Sequence, residues 1–252
     1  MEHTPSLGAG CGPRRDIRLP ILANPLAGAL ERSRLLGEAD MEALRALPYK
    51  EASFLPGQVV LDTSTHGNRI LVVAGGVAAI QADFPDGSRQ ITDLLVAGDV
   101  HGLGGVLGYP LGHCVEAVTP LRGVTLDAAD LTAVLTARPR IYGALFWASL
   151  RRERVLRDHV RIVGRRTARK RVTHLICCLQ ERVRENGLGT DLPFTLKFTQ
   201  SVLADAIGLT PIHVGRVLRK LSNERLVRMG RGEISILNGL DLKIVADFTG
   251  IH

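Results

Sequence analysis

The chain has 252 residues, of which 45% are hydrophobic, 23% charged and 4% aromatic. That balance supports a globular protein of one large or two ordinary domains and excludes a disordered chain. The formal charge of +7 is uneven: residues 1–164 hold 17 basic and 17 acidic side chains, residues 165–252 hold 15 and 8. A basic C-terminal third joined to a neutral remainder points to a nucleic-acid partner.

No run of about 18 apolar residues occurs, so no membrane partner is expected. Cys11, Cys114, Cys177 and Cys178 show no C-x-x-C spacing, which predicts free thiols in a reducing cytoplasm. "LGAGC" ending at Cys11 and "RRD" at Arg14 lack the adjacent apolar run that export signals need. Residues 1–25, rich in Gly and Pro, read as a loose extension.

Residues from about 50 to 127 read as strands. Short apolar runs such as "RILVVA", "QITDLLV" and "GVTL" alternate with Gly, Asp and Pro signals about every ten residues, the pattern of a jelly roll or barrel. "DFPDGSRQ" predicts a hairpin closed at Asp86-Gly87. Gly102-Leu-Gly-Gly is read as turn chemistry that precedes no helix.

From Asp127 the period becomes helical, first in "DAADLTAVLTARP" and then from Pro139 to about Val163. Ile141, Leu145, Ala148, Val155 and Ile162 form a narrow apolar seam, interrupted by Arg152 and His159. Such a seam on a long connecting helix predicts pairing with a second copy. Another helix spans about 166–186 and ends at Gly187 and Gly189. "FTLKFT" predicts a strand, and a final short helix covers about 240–248.

Between these lies "LADAIGLTPIHVGRVLRKL". Two short helices, Gln200 to Ile207 and Pro211 to Asn223, are separated by Gly208, where a positive φ is needed. Thr210 suits the cap of the second helix and Pro211 its first turn. Apolar Leu203, Ile207, Leu209, Val214 and Val217 fill the positions that must pack. With "RLVRMGRGEISIL" as a following hairpin, this predicts a winged helix-turn-helix.

The second helix of such a module enters the major groove. Arg216, His213 and Ile212 are the predicted base readers, Arg216 through guanine O6 and N7. Thr210, Arg219, Lys220, Arg228 and Arg231 are the predicted phosphate contacts. In the Crp/Fnr family of regulators, which this segment resembles, polar readers stand at the positions of Ile212 and Gly215.

"FTQSVLADAIGLTPIHVGRVLRKLSNERLV", "LLVAGDVHGL" and "ARPRIYGALFWASLRRERVLRDHV" together resemble the Crp/Fnr family of bacterial transcription regulators. The resemblance implies an α+β architecture: a jelly-roll-like β-roll of the cyclic-nucleotide-binding type, a dimerisation helix and a C-terminal winged helix-turn-helix. The corresponding divisions are an extension with a short helix (1–44), a β-roll sensor (45–136), a dimer helix (137–164) and a DNA-binding domain (165–252). It further implies a homodimer on a pseudo-palindromic promoter site in double-stranded DNA, with RNA polymerase as a partner if the protein activates.

The effector pocket is open, with Asp99 and His101 its candidates. Cyclic-AMP-binding members carry Glu after Gly and a phosphate-binding Arg. Here Asp99 follows Gly98 and "PLGHCVEA" supplies no Arg. Iron–sulfur members need several N-terminal cysteines, and only Cys11 is present. His101 and His113 leave haem a low-ranked cofactor, and none is expected. His174, Cys177 and Cys178 are read as packing rather than metal ligands. The competing class is a cupin-type metal enzyme. That chemistry requires clustered His and carboxylate ligands, and the strand region offers only His66, His101 and His113. A non-enzymatic regulator is the expectation.

Overall fold

A computed structural model describes residues 24–62, 68–109, 112–188, 195–197, 199–230 and 232–250. The loose extension, Cys11, His66 and Arg231 lie outside the described residues.

Among the described residues two short helices come first, α1 (Pro25–Glu31) and α2 (Glu38–Arg45). Eight strands follow: β1 (Lys50–Phe54), β2 (Val59–Leu61), β3 (Arg69–Gly75), β4 (Ala78–Asp83), β5 (Arg89–Leu95), β6 (Val100–His101), β7 (Cys114–Ala117) and β8 (Leu121–Asp127). They form two antiparallel sheets of order β1-β8-β3-β6 and β2-β7-β4-β5. Leu61, Leu71, Val73, Leu95, Val115 and Leu121 fill the space between them.

Because side chains alternate along a strand, Ile70 and Val72 of β3 face the opposite way from Leu71 and Val73. They bury against α1, α2, α3 (Ala128–Ala137) and the start of α4 (Arg140–Arg165), with Leu30, Leu44, Leu131, Ile141 and Leu145. Both faces are therefore covered, which is why "RILVVA" is continuously apolar. The β4–β5 turn forms at Asp86-Gly87 as expected: Phe84 donates its N–H to the Ser88 carbonyl (2.8 Å), and Gly87 has φ 81°. Gly102 leads not into an open turn but into a 3-10 turn, Leu103–Leu107, which corrects the expectation that no helix follows it.

After α5 (Ala168–Val183) the chain passes an irregular turn, Arg184–Leu188, where Gly187 takes φ 72°. The module then contains β9 (Thr195–Leu196), α6 (Gln200–Ile207), α7 (Pro211–Asn223), β10 (Val227–Met229), β11 (Ile234–Ile236) and α8 (Gly239–Ala246). Its three strands form a small antiparallel sheet ordered β10-β11-β9. Ile176, Leu179, Leu203, Leu218 and Leu221 are fully buried at its centre, each contributing about 1.5–3 kcal/mol by leaving water.

This core does not stop at the module. Val77, Ala79, Ile91, Leu94 and Val96, from the outer face of the second sheet, belong to the same apolar cluster. The β-roll and the winged helix are thus packed directly together. Polar contacts pin the junction: Arg89 Nε reaches Asp205 of α6 at 2.6 Å, and Gln90 Nε2 donates to the Asp205 carbonyl at 2.8 Å.

The seam expected to pair two chains is corrected by the structure. Ile141, Leu145 and Ile162 are buried within their own chain, and Ala148 and Val155 pack against its clusters. Arg152 and His159, which look like interruptions in the sequence, share that face because it meets polar partners of the same chain. Arg152 pairs with Asp93 of β5 at 3.0 Å, and His159 lies against the Ala206 backbone. The apolar side chains left outward on α4 are Tyr142, Phe146, Leu150, Leu156 and Val160, from 43 to 68% exposed.

Candidate nucleic-acid interface

The helix-turn-helix is set by local chemistry. The Thr199 hydroxyl caps α6, accepting from the Val202 N–H (3.4 Å), and Thr210 caps α7, accepting from the His213 N–H (3.2 Å). Gly208 closes α6 with φ 64° and ψ 45°, the left-handed geometry that glycine adopts without a Cβ penalty. Val214, Val217, Leu218 and Leu221 turn α7's apolar face onto α5 and α6.

The opposite face of α7 is polar and open. Ile212, His213, Arg216, Arg219, Lys220 and Asn223 lie along it, and Ile212 is 73% exposed. Gly215 is not on this face. It is buried, and a Cβ there would come within 2.5 Å of Gln200 Oε1, so it marks close contact between α6 and α7 rather than a missing reader. The Thr210 hydroxyl, expected at a phosphate, is also engaged as the α7 cap. Arg228 is exposed on β10 beside the reading helix.

Charge pairing separates this face from the rest of the module. Arg169 holds Glu224, Lys170 and Arg166 share Asp247, and Lys243 holds Glu181. Arg216, Arg219, Lys220 and Arg228 enter no ion pair with a described residue. Much of the positive charge of the C-terminal third is therefore neutralised within the module and left free where DNA would lie, the arrangement that counterion release favours.

The β-roll candidates Asp99 and His101 both line a cavity of about 760 Å³ and are already engaged by side chains of the same chain. Asp99 is buried, and its Oδ2 accepts from the Val96 N–H (2.8 Å) and from Arg182 of α5 (2.6 Å). Arg182 also takes Asp93 at 2.8 Å, so one buried guanidinium of the DNA-binding module binds two β-roll carboxylates. Burial opposes both charges, yet the pairing prevails: Asp93 sits below and Arg182 above its ordinary value. His101 and His113 face one another, Nε2 to Nε2 at 2.8 Å. Burial, and secondarily the Arg152 charge, push both imidazoles below their ordinary range. His174 packs edge-on to Phe248, and burial raises the Cys177 and Cys178 thiols to about 12 and about 11, well above reactive values. Among the described residues no group of three or more His, Cys, Asp or Glu converges as a metal site.

Comparison with known proteins agrees with this geometry. Residues 170–243 match the Crp-like helix-turn-helix domain. The chain is 24% identical over 221 residues to the nitrogen fixation regulation protein FixK of Bradyrhizobium diazoefficiens, covering 86% of this chain and 92% of that one. It is 26% identical over 183 residues to the probable transcriptional regulator flp of Lacticaseibacillus casei, covering 72% and 80%. The transcriptional activator protein FnrL of Cereibacter sphaeroides is 25% identical over 183 residues, covering 70% and 72%.

Among solved structures, FixK2 of Bradyrhizobium japonicum shares the fold with a TM-score of 0.70 at 22% identity, covering 79% of this chain and 98% of that one. A CRP-family transcriptional regulator of Thermus thermophilus shares it at 0.61 and 16% identity, covering 80% and 98%. The class defined by fold and interface is that of DNA-binding transcription regulators. Within it, residues 170–243 form a Crp-like helix-turn-helix domain, and the chain as a whole is similar to regulators of the Crp/Fnr type. A cupin-type enzyme is not favoured.

Proposed function

We propose that the protein acts as a homodimer that reads a pseudo-palindromic promoter site with α7 and has no catalytic activity of its own. The observation that carries this is the exposed, unpaired basic face of α7, beside the paired cations Arg169 and Lys170. Arg216 reads a guanine through a bidentate contact, His213 bonds a base edge and Ile212 packs on a thymine methyl. Arg219, Lys220, Arg228 and Arg231 hold phosphates, and the Thr210 end of α7 approaches the backbone.

Dimerisation runs through the outward face of α4, with Tyr142, Phe146, Leu150, Leu156 and Val160 replacing the seam read from the sequence. It sets the two α7 helices about 34 Å apart, one turn of DNA. The protein works in the cytoplasm, where RNA polymerase is its partner if it activates, and a signal at the β-roll governs it. Among the described residues no helix is long and apolar enough to cross a membrane.

The test is binding to a site mapped in vivo. Arg216→Ala is expected to lose about 1–3 kcal/mol of specific affinity and to relax the base preference at one position in each half-site, whereas Arg228→Ala weakens all sequences alike. Operator affinity unchanged in Arg216→Ala would remove Arg216 as the reader.

A further inference from the structure

A small cavity of about 30 Å³ lies where β5, α4, α5 and α6 meet. Ile91 and Leu94 of β5, Ile162 of α4 and Ile207 of α6 give it apolar walls. His159 of α4 and His174 and Cys178 of α5 bring polar atoms to it. These four elements join the β-roll to the helix-turn-helix, and the end of α4 reaches its turn: a Cβ at Gly208 would touch Val163 at 3.7 Å. The space is enough for about one or two water molecules.

His174 is the strained member. Its Nδ1 is buried without a hydrogen-bond partner among the described residues, and its ring stands edge-on to Phe248 at 5.2 Å. A neutral imidazole tolerates this by carrying its proton on Nε2, whereas an imidazolium also has an N–H at Nδ1 that needs an acceptor. The charged groups around it do not supply one. On α4, Asp158 is held by Arg161 (2.9 Å), and burial pushes His159 below its ordinary value. Arg166, between α4 and α5, pairs with Asp247 (3.2 Å) beside Phe248, and Lys170 shares that carboxylate. On α5, Arg171 donates to the carbonyls of Arg166 (2.9 Å) and Ile207 (3.3 Å). Arg182 is taken by Asp93 of β5 and by Asp99, and burial raises the Cys178 thiol to about 11. Among the described residues α6 turns no ionisable group to the cavity, its Asp205 being engaged by Arg89 (2.6 Å).

We propose that this junction is an acid-sensitive latch: a proton taken from solvent by His174 separates α6 from β5 and α4 and frees the helix-turn-helix from the β-roll. Opening admits water to the ring and gives the new N–H a partner. In the closed junction burial holds His174 down at about 4, against about 6.5 for the side chain in water. The closed form thus binds fewer protons. It is fully favoured above about pH 6.5 and loses ground as pH falls toward 4. Between about pH 7.5 and 5.5, one such histidine shifts the balance toward the open form about tenfold. His159 shifts it in the same direction. An open latch no longer fixes the spacing of two α7 helices, so acid weakens operator binding. That consequence rests on the reading as a dimeric DNA-binding regulator; the opening does not.

The test is amide hydrogen exchange of the full-length protein without DNA at about pH 7.5 and 5.5, each segment being referred to the unfolded chain at the same pH. Protection of α6 should fall about tenfold at the lower pH, while β3 and β8, in the sheet away from α6, keep theirs. His174→Phe and the more polar His174→Gln should each remove most of that fall, so that misfolding of one leaves the other to decide. No fall in wild type, an equal fall in wild type and the variants, or loss of β3 and β8 together with α6 would overturn the proposal. Operator binding over the same range reads the consequence: wild type should weaken by up to about tenfold relative to His174→Phe. If the latch opens in exchange and no DNA is bound at either pH, the reading as a regulator fails and the latch stands. If DNA is bound equally at both while the latch opens, the coupling to reading is removed.

Discussion

The helices α7 and α4 are each apolar on the side turned to their own chain, yet their outer sides differ in kind. Outside, α7 shows His213, Arg216, Arg219 and Lys220, whereas α4 shows Tyr142, Phe146, Leu150, Leu156 and Val160. A face of unpaired cations suits a polyanion, and a face of large apolar groups suits a like surface. One chain thus presents two outward faces of opposite chemistry, and neither can stand in for the other.

The sharpest way to test that contrast uses adjacent residues of α4. Leu145 is 7% exposed and Phe146 65%. Leu145→Asp puts a carboxylate into the chain's own core and should cost at least about 3 kcal/mol in denaturant unfolding. Phe146→Asp should leave protomer unfolding nearly unchanged at low concentration while shifting sedimentation from dimer to monomer. A stable dimer in Phe146→Asp would return the pairing to some other face.

Next in size is sensitivity to acid. Burial keeps His174 down at about 4, with Arg161, His159 and Arg166 adding to the effect and Asp158 opposing it. Its unfolded value is about 6.5. Between those values the unfolded chain holds the extra proton, so stability is full above about pH 6.5 and falls as pH drops toward 4. The His101, His113 and His159 shifts have the same sign. Melting points should fall as pH is taken from about 7.5 to 5.5, and His174→Phe should flatten the slope.

The smallest effect is at the start of α7. Thr210→Ala removes the cap on the His213 N–H and should cost about 1 kcal/mol of stability. A loss of DNA affinity larger than the loss of stability would show that the hydroxyl also meets the backbone.

The helix-turn-helix was legible because its signals are local: the Thr210 cap, one left-handed glycine, and apolar residues at helical spacing, whereas the Thr199 cap of α6 emerged only in the structure. The stripe on α4 was legible too, but not its partner. Period identifies an apolar face without saying whether the same chain or another covers it, and only the polar members decide. Arg152 and His159 lie on the stripe because Asp93 and the Ala206 backbone await them. Arg182 was missed altogether, since its two carboxylates are 89 and 83 residues away and nothing local marks the pairing. The meeting of His101 and His113 carried one usable signal, a glycine-rich stretch between them that folds the chain back.

The Arg182 fork bears on heredity as well as on stability. Transcription factors are often pictured as cassettes in which a reading head can be exchanged while the sensor is kept. Here the head brings the counter-ion for two acids embedded in the β-roll, and the β-roll brings an apolar wall of the head's core. A transplanted head without an arginine at this place would strand both carboxylates. A head exchanged at this junction is therefore expected to keep stability only where the match of Arg182 with Asp93 and Asp99 is kept.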